Sequence, residues 1–341
     1  IMLLNMLKTR FQKIKKNIAS GNCLKMIKNR RAFITGLKST ILTTNEKKFL
    51  KKYKPWGVII FSRNIKSFHQ LNMLTKSIKK IFKDNNYPIL IDEEGGRVNR
   101  FKKLFDTSIF TGNFFGNIYK KDKRKFYLYY KIFSKQLSFI LKSTGININT
   151  LPVLDVRRKY SDNVIGDRSF SYDPMIVSKI GDFCIDQFTK NNIGTVIKHI
   201  PGHGLAKVDS HKKTPIVKEK VSKLNKKDFY SFRNKKSFFA MTAHIIYSDI
   251  DETNTATHSK KVIKLIRNKI RFKNIIISDD ISMKGLKFPI MENTKRAFSA
   301  GCNIVLHCNG NIKEMTIVAK NSPKINKFII TKTSQFYKIL S

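Results

Sequence analysis

Short apolar runs recur along this chain, each bounded by turn residues and separated from the next by a longer stretch of mixed polarity. A run apolar on every position suits a strand buried on both faces, and the mixed stretches carry the spacing of amphipathic helices. The candidate strands are Phe33–Gly36, Val58–Phe61, Ile89–Asp92, Leu151–Asp155, Thr195–Lys198, Phe239–Ala243, Ile275–Ser278 and Asn303–Leu306. Helical patterns lie between them, among them Phe68–Phe82, Lys125–Leu141, Ile176–Thr189, Lys220–Phe232 and Lys260–Ile270. About eight strand–helix units in series is the count of a (β/α)8 TIM barrel, an α/β fold of parallel strands. A doubly wound open sheet is the competing architecture, and counting units does not separate the two. With no internal repeat or low-complexity linker, the chain reads as a single domain over 31–341. Residues 1–30 form a basic extension, expected to be disordered or not native, with the folded protein starting near Met26.

Several of the apolar runs end in residues with chemical capacity. Ile89–Ile91 leads into Asp92-Glu93-Glu94-Gly95-Gly96-Arg97, Thr195–Ile197 into Lys198-His199, Met241–Ala243 into His244, and Ile275–Ile277 into Ser278-Asp279-Asp280. In a parallel barrel the carboxyl ends of all strands share one face, and active sites are built there. Residues far apart in the chain then converge on one pocket. Gly95-Gly96 reads as a tight turn with positive φ, and Trp56, Phe170 and Met283 as packing groups.

The composition narrows the function classes. The cysteines, Cys23, Cys184, Cys302 and Cys308, form no CxxC pair, which argues against a disulfide framework or a zinc ribbon. No stretch approaches the roughly 20 apolar residues of a membrane helix. The apolar start, Ile1 to Leu7, precedes its basic residues, the reverse of a signal peptide. A cytoplasmic protein without a membrane partner is the expectation. The net charge of +45 invites a nucleic-acid reading. The lysines, however, are scattered through every segment instead of forming one stripe. Together with the abundance of Lys, Asn, Ile, Phe and Tyr, that pattern reads as compositional drift, and no specific nucleic-acid partner is expected.

Two segments carry the chemistry. Beyond the Ile275–Ile277 run, an aspartate can cap the next helix or attack a sugar carbon as a glycosidase nucleophile. In Lys198-His199-Ile200-Pro201-Gly202-His203-Gly204, proline and glycine force a turn, so the two histidines do not share a helical face as in a zinc motif. In Asp209-Ser210-His211, an aspartate two residues before a histidine can accept the imidazole Nδ1–H and support its protonated form. A solvated Asx turn is the plainer reading of that triplet alone.

Taken together these motifs resemble the bacterial β-N-acetylhexosaminidases of glycoside hydrolase family 3, the NagZ-type enzymes of peptidoglycan recycling. The resemblance covers about residues 31–310. It runs through Pro55–Asn64, Ile91–Phe101, Val164–Phe170, Lys198–Gly204, Asp209-Ser210-His211, Met241–His244 and Ser278–Met283. It implies an exo-acting, retaining β-N-acetylglucosaminidase that removes terminal β-linked N-acetylglucosamine from 1,6-anhydro-muropeptides through a covalent glycosyl-Asp intermediate. Asp279 corresponds to the nucleophile, His211 to the acid/base and Asp209 to its orienting partner, on a loop expected to move over the sugar. Asp92, Arg100, Arg168, Lys198 and His199 correspond to the residues that grip the sugar hydroxyls. No cofactor and no metal are implied, and a monomer is expected. Arg168 could instead pair with Asp167 or another surface acid, and His244 is read as an orienting group. The alternatives are a family 3 β-glucosidase or xylosidase, against which the Asp209-Ser210-His211 triplet argues, and a catalytically inactive basic binding protein, supported by charge alone.

Overall fold

The computed structural model describes residues 27–158, 163–206, 208–210 and 213–340. Eight parallel strands close into a barrel: β1 (Arg31–Gly36), β2 (Pro55–Ile60), β3 (Ile89–Ile91), β4 (Ile148–Asn149), β5 (Gly194–Ile200), β6 (Phe239–Thr242), β7 (Ile275–Asp280) and β8 (Ile304–His307). They follow chain order around the barrel, and β1 pairs with both β2 and β8. Closure through that last pair excludes the doubly wound sheet.

Each strand is buried on both faces, as the unbroken apolar runs require. In β7, Ile275 and Ile277 pack inside the barrel while Ile276 points at the helical layer; in β8, Ile304 and Leu306 point in and Val305 out. Trp56 sits in the interior against Phe239, and Phe336 of the C-terminal helix Lys327–Tyr337 closes the bottom of the same cluster. Helix starts are set by local chemistry. Thr43 and Glu46 form a capping box on the helix Thr44–Tyr53, and Ser67 caps Phe68–Phe82. Asp173 caps Pro174–Lys190, whose proline occupies the first turn, where no N–H is missed.

Two expectations need correction. The fourth strand is Ile148–Asn149, not Leu151–Asp155. Pro152 has no N–H to give to a ladder, so pairing stops before it. Residues 151–155 still run beside β5, with Val153 bridging Lys198 and the Leu154 N–H donating to the Lys198 carbonyl. The expected helix Lys220–Phe232 is a short helix, Val221–Lys226, followed by a 3-10 turn, Tyr230–Phe232.

Residues 1–26, most of the expected N-terminal extension, lie outside the described residues. Ile27 and Arg30 belong to the folded body. Arg30 is buried at the amino-terminal end of the barrel, where its guanidinium meets Asp84 at 2.5 Å and the Tyr337 hydroxyl at 3.0 Å. Among the described residues no helix is long and apolar enough to cross a membrane.

Candidate active site

The carboxyl ends of β2, β3, β5, β6, β7 and β8 surround one cavity of about 140 Å³. Asp92, Arg100, Arg168, Lys198, His199 and Asp279, six residues from four separate segments, all line it. Phe61, Met241, Met283, Leu306 and Cys308 supply its apolar walls. Met283, expected to be a packing group, therefore also faces the pocket.

The acidic triplet after β3 divides its labour. Asp92 reaches the pocket, where Oδ2 accepts from Arg100 at 2.8 Å and Oδ1 meets Lys198 at 2.5 Å and the Thr150 hydroxyl. Burial pushes its pKa up, but the Lys198 and Arg100 cations outweigh that and hold the carboxyl well below its usual range. It stays an acceptor, suited to sugar hydroxyl donors. Glu93 points away into the body. It accepts the backbone N–H groups of Arg100 (2.6 Å) and Phe101 (3.2 Å) and the Thr107 hydroxyl (2.9 Å), fixing the turn that carries Arg100. Burial raises its carboxyl to about 7. Glu94 receives Arg168 through paired bonds of 2.8 Å and Lys198 at 2.5 Å. Two cations outweigh its burial and keep it ionised. Arg168 thus pairs with Glu94, not with Asp167, which lies 3.7 Å from Arg97. The turn after the triplet places Gly95 and Gly96 at φ of 83° and 60°, as the sequence requires.

His199 is oriented from behind. Its Nδ1 lies 2.7 Å from Asp155 Oδ2, and the Asp155 carboxylate also accepts the backbone N–H groups of His199 and His203. Burial opposes ionisation of Asp155, but His199 lowers its pKa overall. An ionised carboxylate only accepts, so Nδ1 carries the proton and Nε2 is left for the pocket. His203 is fully enclosed. Desolvation, reinforced by His199, lowers its pKa to about 4, so it is neutral near pH 7. His244 bridges the Thr257 hydroxyl at 2.7 Å and the Asp280 carbonyl at 3.0 Å, an orienting contact beneath the end of β7.

The two aspartates at the end of β7 separate by role. Asp280 accepts from the Ser282 N–H and hydroxyl and from the Cys308 N–H, and so does the turn-capping. Asp279 accepts the Asp280 N–H through Oδ1 and faces the cavity, partly exposed. Neither aspartate caps the next helix, Ile290–Ala300, whose N-cap is Pro289; Asp280 caps the local turn instead, and Asp279 lines the cavity. Of the third group, Asp209 is half-buried on the loop after β5 and is not among the residues lining the cavity; His211 lies outside the described residues. Sequence reasoning did not single out Glu93, Glu94 or Asp155. The available signal was an acid at or just after the end of an apolar run.

No group of His, Cys, Asp or Glu among the described residues has metal-binding geometry. A polar pocket of paired charges beside a carboxylate, at the carboxyl end of a closed parallel barrel, is the arrangement of a barrel glycoside hydrolase. The model of the glycosyl hydrolase family 3 N-terminal domain matches residues 24–333. The β-hexosaminidase of Aromatoleum aromaticum is 31% identical over 274 residues, 79% of this chain and 76% of the relative. That of Nitrosomonas eutropha is 33% identical over 277 residues, 79% and 78% of the two chains. The crystal structure of NagZ from Neisseria gonorrhoeae in complex with N-trifluoroacetyl-D-glucosamine superposes with a TM-score of 0.81 at 29% identity, over 90% of each chain. The chain belongs to glycosyl hydrolase family 3, among its bacterial NagZ-type β-N-acetylhexosaminidases.

Proposed function

We propose that this chain is an exo-acting, retaining β-N-acetylglucosaminidase with Asp279 as nucleophile, His211 as acid/base and Asp209 as the carboxylate that orients the imidazole. One observation carries the reading: Asp279 shares a single cavity with Asp92, Arg100, Arg168, Lys198 and His199. The paired charges suit the hydroxyls of one terminal sugar, because charge-assisted hydrogen bonds orient a polyhydroxylated ring strongly. In the first step an Asp279 oxygen bonds to the anomeric carbon as the bond to the leaving oxygen breaks, and the His211 imidazolium gives that oxygen its proton. In the second step the neutral imidazole takes a proton from water, whose oxygen displaces the carboxylate and frees the sugar with its configuration retained. The substrate is a 1,6-anhydro-muropeptide bearing terminal N-acetylglucosamine, and the protein works as a cytoplasmic monomer in cell-wall recycling. The N-acetyl-sugar analogue bound by gonococcal NagZ supports the choice of sugar.

The test is hydrolysis of an aryl N-acetyl-β-glucosaminide. Asp279→Asn should lower kcat by roughly six orders of magnitude, the scale seen when a hydrolase loses its covalent nucleophile. Full activity in that variant ends the mechanism.

A further inference from the structure

The loop after β5 is tied down at Ser210. Val208 is 37% exposed, yet Ser210 is only 3% exposed. Its Oγ lies 3.1 Å from His203 Nε2. His203 belongs to the turn that also carries His199, and its own N–H is held by Asp155. On the other side the Ser210 carbonyl presses against Gly285: a Cβ built there would meet that oxygen at 2.6 Å. Four residues on, the Thr214 hydroxyl donates to the Gly285 carbonyl at 2.9 Å. Gly285 stands six residues after Asp279, in the loop that leaves β7, and the same built Cβ would meet His244 at 3.3 Å.

We infer that Ser210 is a positioning residue, an anchor that fixes the loop bearing Asp209 and His211 between the His203 turn and the nucleophile's own loop at Gly285. In the chain the anchored residue stands directly between Asp209 and His211. The His203 contact is one of a hydroxyl with a neutral imidazole, since burial keeps that ring unprotonated near pH 7. Gly285 is required as a close approach of two backbones. Its φ lies outside the left-handed region, so Gly285→Ala acts through space alone. A displacement of about 1 Å at a proton-transfer group is enough to cost up to ~100-fold in rate.

The inference rests on the reading of this loop as the acid/base loop, and the experiment separates the two. kcat/KM, which reports the glycosylation step, is measured with full-length protein on two substrates. One is a dinitrophenyl N-acetyl-β-glucosaminide, whose leaving group needs no proton. The other is a β-linked N-acetylglucosamine disaccharide, whose leaving alkoxide does. Ser210→Ala and Gly285→Ala should lower kcat/KM on the disaccharide by roughly 10- to 100-fold and leave the dinitrophenyl rate within about threefold. His211→Ala should show the same pattern more strongly. Equal losses on both substrates in the Ser210 and Gly285 variants, or none on either, overturn the anchoring while the His211 pattern stands. If His211→Ala itself lacks leaving-group dependence, the acid/base reading fails and the anchor falls with it.

Discussion

Glu94→Gln keeps the shape of the side chain and removes its charge, in a place where that charge serves two cations. The wild-type carboxylate accepts Nε and Nη2 of Arg168 at 2.8 Å each and meets Lys198 Nζ at 2.5 Å. The side chains are 6%, 12% and 2% exposed for Glu94, Arg168 and Lys198, so solvent screens little of this. In the variant one oxygen still accepts, but the new amide turns a donor toward a guanidinium that also only donates. Breaking a buried pair costs about 3–5 kcal/mol. Here the low end applies, because Lys198 keeps Asp92 and Arg168 keeps the Val164 carbonyl. A loss of roughly 3 kcal/mol lowers Tm by about 6 °C, at ~2 °C per kcal/mol for a domain of this size. Misplacing one charged group of the proposed sugar site adds an expected loss of ~10- to 100-fold in kcat/KM, at about 1.4 kcal/mol per decade. Thermal denaturation and hydrolysis of an aryl N-acetyl-β-glucosaminide read both effects. A Tm within about 1 °C of wild type, together with unchanged kcat/KM, would refute the view that Glu94 organises the two cations.

Asp84→Asn should weaken the buried Arg30–Asp84–Tyr337 cluster and lower stability by roughly 3 kcal/mol in urea denaturation. KM should not move, because the cluster lies at the amino-terminal end of the barrel. Glu93 predicts a pH dependence. With its folded pKa raised to about 7 by burial, the folded state binds that proton more tightly than the unfolded chain. Its contribution is complete below the unfolded value of about 4.3 and is lost as pH rises through the folded value. The stability measured between about pH 4 and pH 8 should therefore fall less steeply with pH in Glu93→Gln than in wild type; parallel curves would remove Glu93 as the cause.

Local pattern fixes much of this protein. Eight buried runs, their turn residues and their helix caps are properties of a few neighbouring residues, so the strand count and the face that carries polar residues are legible in the chain, whereas the choice of a barrel over an open sheet rests on the pairing of β1 with β8. Asp92, Lys198, His199 and Asp279 could be placed on that face the same way, because each lies within two residues of the end of an apolar run, while their roles came from the family resemblance. The tertiary structure decided which neighbour does what. Asp92, Glu93 and Glu94 are alike in sequence, but the turn at Gly95-Gly96 sends one to the pocket, one to a backbone turn and one to Arg168, 74 residues away. Asp279 and Asp280 are likewise told apart only when Ser282 and Cys308 claim the second. The short fourth strand depends on how far pairing can run before a proline, and the place of Arg30 on a carboxylate 54 residues distant. Periodicity records what a residue does to its own helix or strand; partners brought together by closure of the barrel leave no trace in spacing.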